Sequence, residues 1–149
     1  MTKQILCYGF LALLVMAGCG KKGLDVHPVR GVVTVDGQTV RGVIITFEPV
    51  DTSSIEKAFG ETDESGVYML TSTNGPPQGG ALAGEYKVKA SWPERDKVNV
   101  VRYPDGTEST FPTYEEKLPP FYLDPETSGL TATVKRGKNT INFDLKRTP

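Results

Sequence analysis

The chain has 149 residues, 17 basic and 18 acidic, and a formal net charge of -1 at neutral pH. A balance so close to zero excludes the basic stripe that nucleic acid demands, and the length suits one domain built on a single core. With two cysteines and one histidine, there is no material for a disulfide framework or a cysteine-rich metal centre.

Lys3 opens the chain with a positive charge, and residues 5–17 form an apolar run. That run has the length of a secretory signal core and falls short of the roughly 20 apolar residues of a membrane-spanning helix. Met16-Ala17-Gly18-Cys19 follows, and it resembles the bacterial lipobox, with Met16 where leucine is usual. The resemblance implies a diacylglyceryl group on the Cys19 thiol, cleavage before Cys19, and acylation of the new amine. Two or more acyl chains hold a protein on a membrane firmly, at about 0.8 kcal/mol per buried CH₂. Three parts are therefore expected: a lipoprotein signal peptide over 1–18, a lipidated cysteine and tether over 19–28, and a folded domain over 29–149. Cleavage removes Cys7 and Lys3, which leaves 16 basic against 18 acidic side chains and no cysteine beyond Cys19. The expected location is the bacterial cell envelope, on the extracytoplasmic face of a membrane.

The domain reads as strands. Residues 29–35, VRGVVTV, are rich in β-branched side chains, and Asp36-Gly37 is a hairpin signal because glycine takes a positive φ at little cost. Residues 39–48 are expected to return from that turn, with Gly42 marking a bulge. A weak strand over 58–62, a turn at Asp63 to Gly66 and a strand over 67–71 come next. Residues 85–92, EYKVKASW, alternate strictly, with Tyr86, Val88, Ala90 and Trp92 on one face and Glu85, Lys87, Lys89 and Ser91 on the other. Residues 98–103 make a further strand. Residues 130–134 and 140–146 are expected to pair as a closing hairpin across residues 136–139. No window carries a helix beyond a single turn over 54–59, and 16 glycines and 11 prolines argue against long ones. About seven short strands with turns between them point to an all-β, two-layer antiparallel sandwich.

Four motifs carry a family resemblance. VRGVVTVDGQTVRGVIITFEP at 29–49, GETDESGVYMLT at 60–71, GALAGEYKV at 80–88 and the segment at 118–145 occur in this order. Together they resemble carboxypeptidase-regulatory-like, transthyretin-like domains, and the last is similar to the tail of small lipoproteins of the planctomycete type. The resemblance implies a prealbumin-like sandwich of about seven strands and an accessory module without an agreed biochemical activity.

Candidate chemistry is sparse. His27 falls in the expected tether, where no second side chain would hold it for catalysis or metal binding. A hydroxyisourate-hydrolase-like or catechol-dioxygenase-like relative would need several histidines. A lysine-asparagine isopeptide would need a lysine on the first strand, which carries Arg30 instead. Asp51, Asp63, Glu64, Asp105, Asp124 and Glu126 sit in turns without the spacing that converges six to eight oxygens on calcium, so they read as solvated turn acids. Residues 104–129 read as a long loop carrying Phe111, Tyr114, Phe121 and Tyr122 among Pro112, Pro119, Pro120 and Pro125. Those aromatics either stack on a ligand or fold back over the sandwich, and a loop of this length favours folding back. The expectation is a non-enzymatic module without cofactor or metal. Its partners are the membrane, through Cys19, and a protein or glycan; the alternative is a carbohydrate-binding accessory lipoprotein that uses the 104–129 aromatics.

Overall fold

The computed structural model describes residues 23–51, 53, 54 and 56–148. Cys19 and the whole of residues 1–18 lie outside the described residues. The described chain is all-β, with fourteen strand segments and one short 3-10 helix. The strands are β1 (Val26–His27), β2 (Val29–Val35), β3 (Gln38–Thr39), β4 (Ile44–Pro49), β5 (Ala58–Glu61), β6 (Val67–Met69) and β7 (Thr71–Ser72). Then come β8 (Ala81–Leu82), β9 (Gly84–Ser91), β10 (Pro93–Arg102), β11 (Glu108–Glu116), β12 (Leu130–Val134), β13 (Asn139–Thr140) and β14 (Phe143–Leu145), with the 3-10 helix at Pro120–Leu123.

Two five-stranded sheets share one core. The first runs in the order β12-β9-β4-β5-β7 and is antiparallel throughout. The second is built around β2, which pairs antiparallel with β3 and β6 and parallel with β13 and β14. Period-two alternation explains the packing between them. Val33 and Leu145 from the second sheet, and Ile45, Phe47 and Val88 from the first, are completely buried. Phe143 lies edge-on to Phe47 at 6.1 Å between ring centroids and stacks with Tyr68 at 6.3 Å. The Tyr68 hydroxyl donates to the Ile141 carbonyl at 2.7 Å, and burial pushes its phenol well above the ordinary tyrosine range. The expected inward face of residues 85–92 is present: Tyr86, Val88 and Ala90 are buried and Trp92 packs against their edge.

Three expectations change. The strand expected over 39–48 is broken at residues 40–43: β3 stays with β2 in the second sheet, and β4 enters the first. Gly42, at φ +83, sits at this corner rather than in a bulge within one strand. Buried Thr62 ties the corner, accepting from the Val43 amide at 2.9 Å and donating to the Val40 carbonyl at 2.7 Å. Residues 130–134 and 140–146 do not form a hairpin. β12 borders β9, whereas β13 and β14 run parallel to β2 in the other sheet. Asn139 makes the crossing: its side chain accepts from the Lys135 amide and donates to the Lys135 and Gly137 carbonyls, which closes a loop between sheets. Alternation states which face a residue takes, not which strand it adjoins, so both errors have one cause. Lastly, residues 104–129 are not one loop. They hold most of β11 and the 3-10 helix.

The Asp36-Gly37 hairpin is as expected, with φ of +52 and +79 at its two central residues, the type I′ geometry that matches strand twist. Within residues 19–28, expected to be a tether, Val26–His27 form β1 and pair with β8.

Candidate docking surface

The turn acids are occupied by their own turns. Asp63 Oδ1 accepts from the Ser65 and Val67 amides, Asp51 Oδ1 from the Ser53 amide, and Asp124 Oδ1 from the Glu126 amide. Asp105 Oδ1 accepts from both the amide and the hydroxyl of Thr107, and these bonds hold its carboxyl below the usual range. Glu64 meets Arg41 at 2.6 Å, and Glu126 meets Lys87. Among the described residues, no three histidine, cysteine, aspartate or glutamate side chains group as metal ligands. His27 stands in β1 opposite Ala81, half-buried and held by backbone pairing.

The four aromatics of residues 104–129 separate into two places. Phe121 and Tyr122 lie on the 3-10 helix, where Pro119 and Pro120 start the turn, and their ring centroids are 4.3 Å apart. Tyr122 is buried, its hydroxyl accepts from the Lys146 amide, and Phe121 packs against the core. Ser128 fastens this segment to β9 through the Val88 carbonyl. These two aromatics fold back as expected.

Phe111 and Tyr114 do not. They lie on β11, which pairs with β10 alone in a two-stranded ribbon separate from both sheets. Phe111 is 51% exposed and Tyr114 66%. Three residues apart on one strand, they point to opposite faces of the ribbon, so they do not form a shared platform. Val98, Val100, Val101 and Tyr103 are also exposed on β10 and at its end. Because the register places Val98 opposite Pro112 and Asn99 opposite Phe111, Val98 and Val100 share the face of Tyr114, while Val101 and Tyr103 share that of Phe111. The base of the ribbon is fixed to the domain. Glu116 accepts from the Ser91 hydroxyl and from the Trp92 and Leu118 amides, and Lys117 lies over the Trp92 ring at 5.0 Å.

The sequence reading missed this ribbon because β11 carries Pro112 within it, and proline argues against a strand unless the strand lies at an edge. It also missed a groove of about 620 Å³ on the outer surface, lined by Ile44, Phe59, Glu61, Met69, Thr71 and Gln78. The signal was present: Phe59 and Met69 each alternate with buried neighbours and so face outward. Lys87 and Lys89 lie on β9 inside the first sheet, where Lys89 meets Glu48 at 3.0 Å.

No protein family, curated protein or solved structure matches the chain. Among the described residues, no helix is long and apolar enough to cross a membrane.

Proposed function

We propose that the chain is a non-enzymatic, membrane-anchored lipoprotein of the cell envelope, held by acyl groups on Cys19, and that its β-sandwich body is a binding module that presents the β10–β11 ribbon to a protein partner. The body is read as the prealbumin-like sandwich of carboxypeptidase-regulatory-like domains, a reading supported by the four ordered motifs and by two sheets on one core.

The observation that carries the binding role is the concentration of apolar side chains on the ribbon. Val98, Val100 and Tyr114 are exposed on one face of it and Val101, Tyr103 and Phe111 on the other, and clustered exposed apolar surface marks contact sites. The lipobox at residues 16–19 carries the anchor. The engagement of the turn acids in their own turns supports a role without catalysis. A protein partner is favoured over a glycan because Phe111 and Tyr114 face opposite ways, whereas a sugar ring needs a flat aromatic platform with polar groups beside it.

Metabolic labelling with palmitate tests the anchor. Wild type should take up label and stay with membranes, and Cys19→Ser should lose the label and move to the soluble fraction. Label that survives in Cys19→Ser refutes the anchor. Binding of the purified chain to envelope glycans, lost on Phe111→Ala or Tyr114→Ala, would overturn the protein reading in favour of carbohydrate.

A further inference from the structure

We infer that the end of the sandwich where the chain enters the domain is a membrane-facing basic surface, which takes the phosphate headgroups of anionic lipid through Arg30, Lys135, Arg136 and Lys138. The choice of lipid as the source of phosphate rests on the membrane attachment proposed above, while the cation cluster stands without it.

These four cations are the ones that the fold leaves unanswered. Every other lysine or arginine whose side chain is described meets a carboxylate, from Arg41 with Glu64 to Arg147 with Asp36. Arg30, Lys135, Arg136 and Lys138 meet none among the described residues, and all four are exposed. They are also neighbours. Lys135, Arg136 and Lys138 occupy the loop between β12 and β13. Asn139 closes that loop by accepting from the Lys135 amide at 2.9 Å and donating to the Lys135 and Gly137 carbonyls at 2.8 and 3.0 Å. Gly137 takes a φ of +95 there, so three cations are kept on one tight turn. β13 then sets Thr140 beside Arg30 on β2. The acids nearest in the chain do not offset this charge. Glu85 alternates with buried Tyr86 and faces out from the first sheet, whereas Arg30 alternates with buried Val29 and faces out from the second. Clustered charge of one sign raises the local concentration of the opposite ion.

Arg30 and Lys138 also line a cleft of about 340 Å³, with Met69, Gln78, Asn139 and Thr140 around them and no acid among its lining residues. Clefts that hold small ligands start at about 300 Å³. Arginine meets phosphate with two parallel N–H bonds, and lysine meets it as a point charge. The Gln78 amide and the Thr140 hydroxyl are further donors.

A bilayer is the source of phosphate that uses all four charges. One free phosphate in the cleft would meet Arg30 and Lys138 and leave Lys135 and Arg136, which do not line it, without a role. A layer of headgroups meets the cleft and the loop together. The loop is also bonded to the point where the chain enters the domain, since the Asn139 amide donates to the Pro28 carbonyl at 2.9 Å. Residues 20–27 alone separate Pro28 from Cys19, and Lys21 and Lys22 add two cations within that stretch.

Amide chemical shifts of residues 136–140 in the isotope-labelled full-length chain test this. The chain carries Cys19→Ser and sits in micelles of an uncharged detergent. Phosphatidylglycerol added to the micelles should shift these amides to saturation, whereas phosphatidylcholine and inorganic phosphate should leave them in place. Arg30→Gln, Lys135→Gln, Arg136→Gln and Lys138→Gln should each raise the half-saturating fraction of phosphatidylglycerol about fivefold, ~1 kcal/mol. Lys87→Gln removes a cation that is paired with Glu126 on β9, and it should leave that fraction unchanged. Amides that do not respond to phosphatidylglycerol, or that respond equally to phosphatidylcholine, overturn the proposal. An equal loss in Lys87→Gln overturns it too, because net charge alone would then be at work. Inorganic phosphate as effective as phosphatidylglycerol, with losses confined to Arg30→Gln and Lys138→Gln, makes the cleft a site for a free anion and overturns the lipid. Because the Cys19→Ser chain cannot be acylated there, failure of the anchor leaves the outcome unaffected.

Discussion

Gly31→Ala tests the close packing of the β13–β14 connection against β2. A Cβ at residue 31 would lie 1.6 Å from the Ile141 carbonyl oxygen and 2.8 Å from Cε1 of Tyr68. The first contact is with backbone, so relief requires moving the segment that joins β13 to β14 away from β2. Three hydrogen bonds hold that segment: Ile141 N to Arg30 O at 2.9 Å, Val32 N to Asn142 Oδ1 at 2.8 Å, and the Tyr68 hydroxyl to Ile141 O at 2.7 Å. Each is worth about 1 kcal/mol net, and overpacking adds about 1–3 kcal/mol, so the substitution should cost about 4–6 kcal/mol when all three are lost. Native domains have about 5–15 kcal/mol in total, so Gly31→Ala should leave a barely stable protein. Gly37→Ala is the control. Its Cβ meets nothing within 4 Å, and its φ of +79 is the sole penalty, about 1–2 kcal/mol. Urea unfolding followed by circular dichroism measures both. A Gly31→Ala unfolding free energy within about 1 kcal/mol of that of Gly37→Ala would refute the reasoning.

Other outcomes follow from single contacts. Tyr68→Phe should lose about 1 kcal/mol, since it deletes the bond to the Ile141 carbonyl and little volume, and a thermal melt reads it. Pro112→Val restores a donor to the outer edge of β11 and should increase aggregation above wild type in light scattering; unchanged scattering would remove the proline's role as an edge guard. In the acid range, bonds from Arg147 hold Asp36 low, bonds from Ser53 and Thr107 hold Asp51 and Asp105 low, and bonds from Lys146 and Thr34 hold Asp144 low. A depressed folded-state pKa contributes stability that is present above the unfolded value, near 3.8 for aspartate, and lost as pH falls through the folded value. The melting temperature should therefore begin to fall only below about pH 4 on account of these groups, and a decline already in progress at pH 6 would contradict that assignment.

Local alternation made much of the fold legible. The residues of β2, β4, β5, β9 and β12 follow from β-branched runs with period two, and the Asp36-Gly37 and Asp63–Gly66 turns follow from turn chemistry. Long-range pairing was not legible. Nothing in TINFDLK shows that β13 and β14 join β2 in parallel, because parallel pairing depends on the path between sheets and that path is set by Asn139 closing its loop. The contact surface was half legible. Phe111, Tyr114, Phe121 and Tyr122 were singled out by composition, but their separation into a ribbon and a buried cluster depends on Glu116 fixing the end of β11 to Ser91 and Trp92, 24 residues or more away in the chain. Pro112 concealed the strand for the same reason that it blunts the edge.

The topology also sets the two proposed contacts apart. The chain enters the domain through β1, where Val26 stands opposite Leu82, just before β9 begins at Gly84. The ribbon leaves from the other end of β9, after Ser91. Eight residues of strand separate these ends, about 26 Å at 3.3 Å per residue. An anchor on Cys19 would hold the β1 end close to the bilayer, since only residues 20–25 separate it from Val26, which is paired with Leu82. The ribbon would then start a strand's length from the lipid, where its apolar faces meet another protein more readily than a membrane. Dyes on Leu24→Cys and on Pro104→Cys separate these cases in vesicles that contain brominated lipid. Quenching should be strong at residue 24 and weak at residue 104. Equal quenching would mean that the ribbon lies on the bilayer and that its valines and aromatics contact lipid rather than a protein partner.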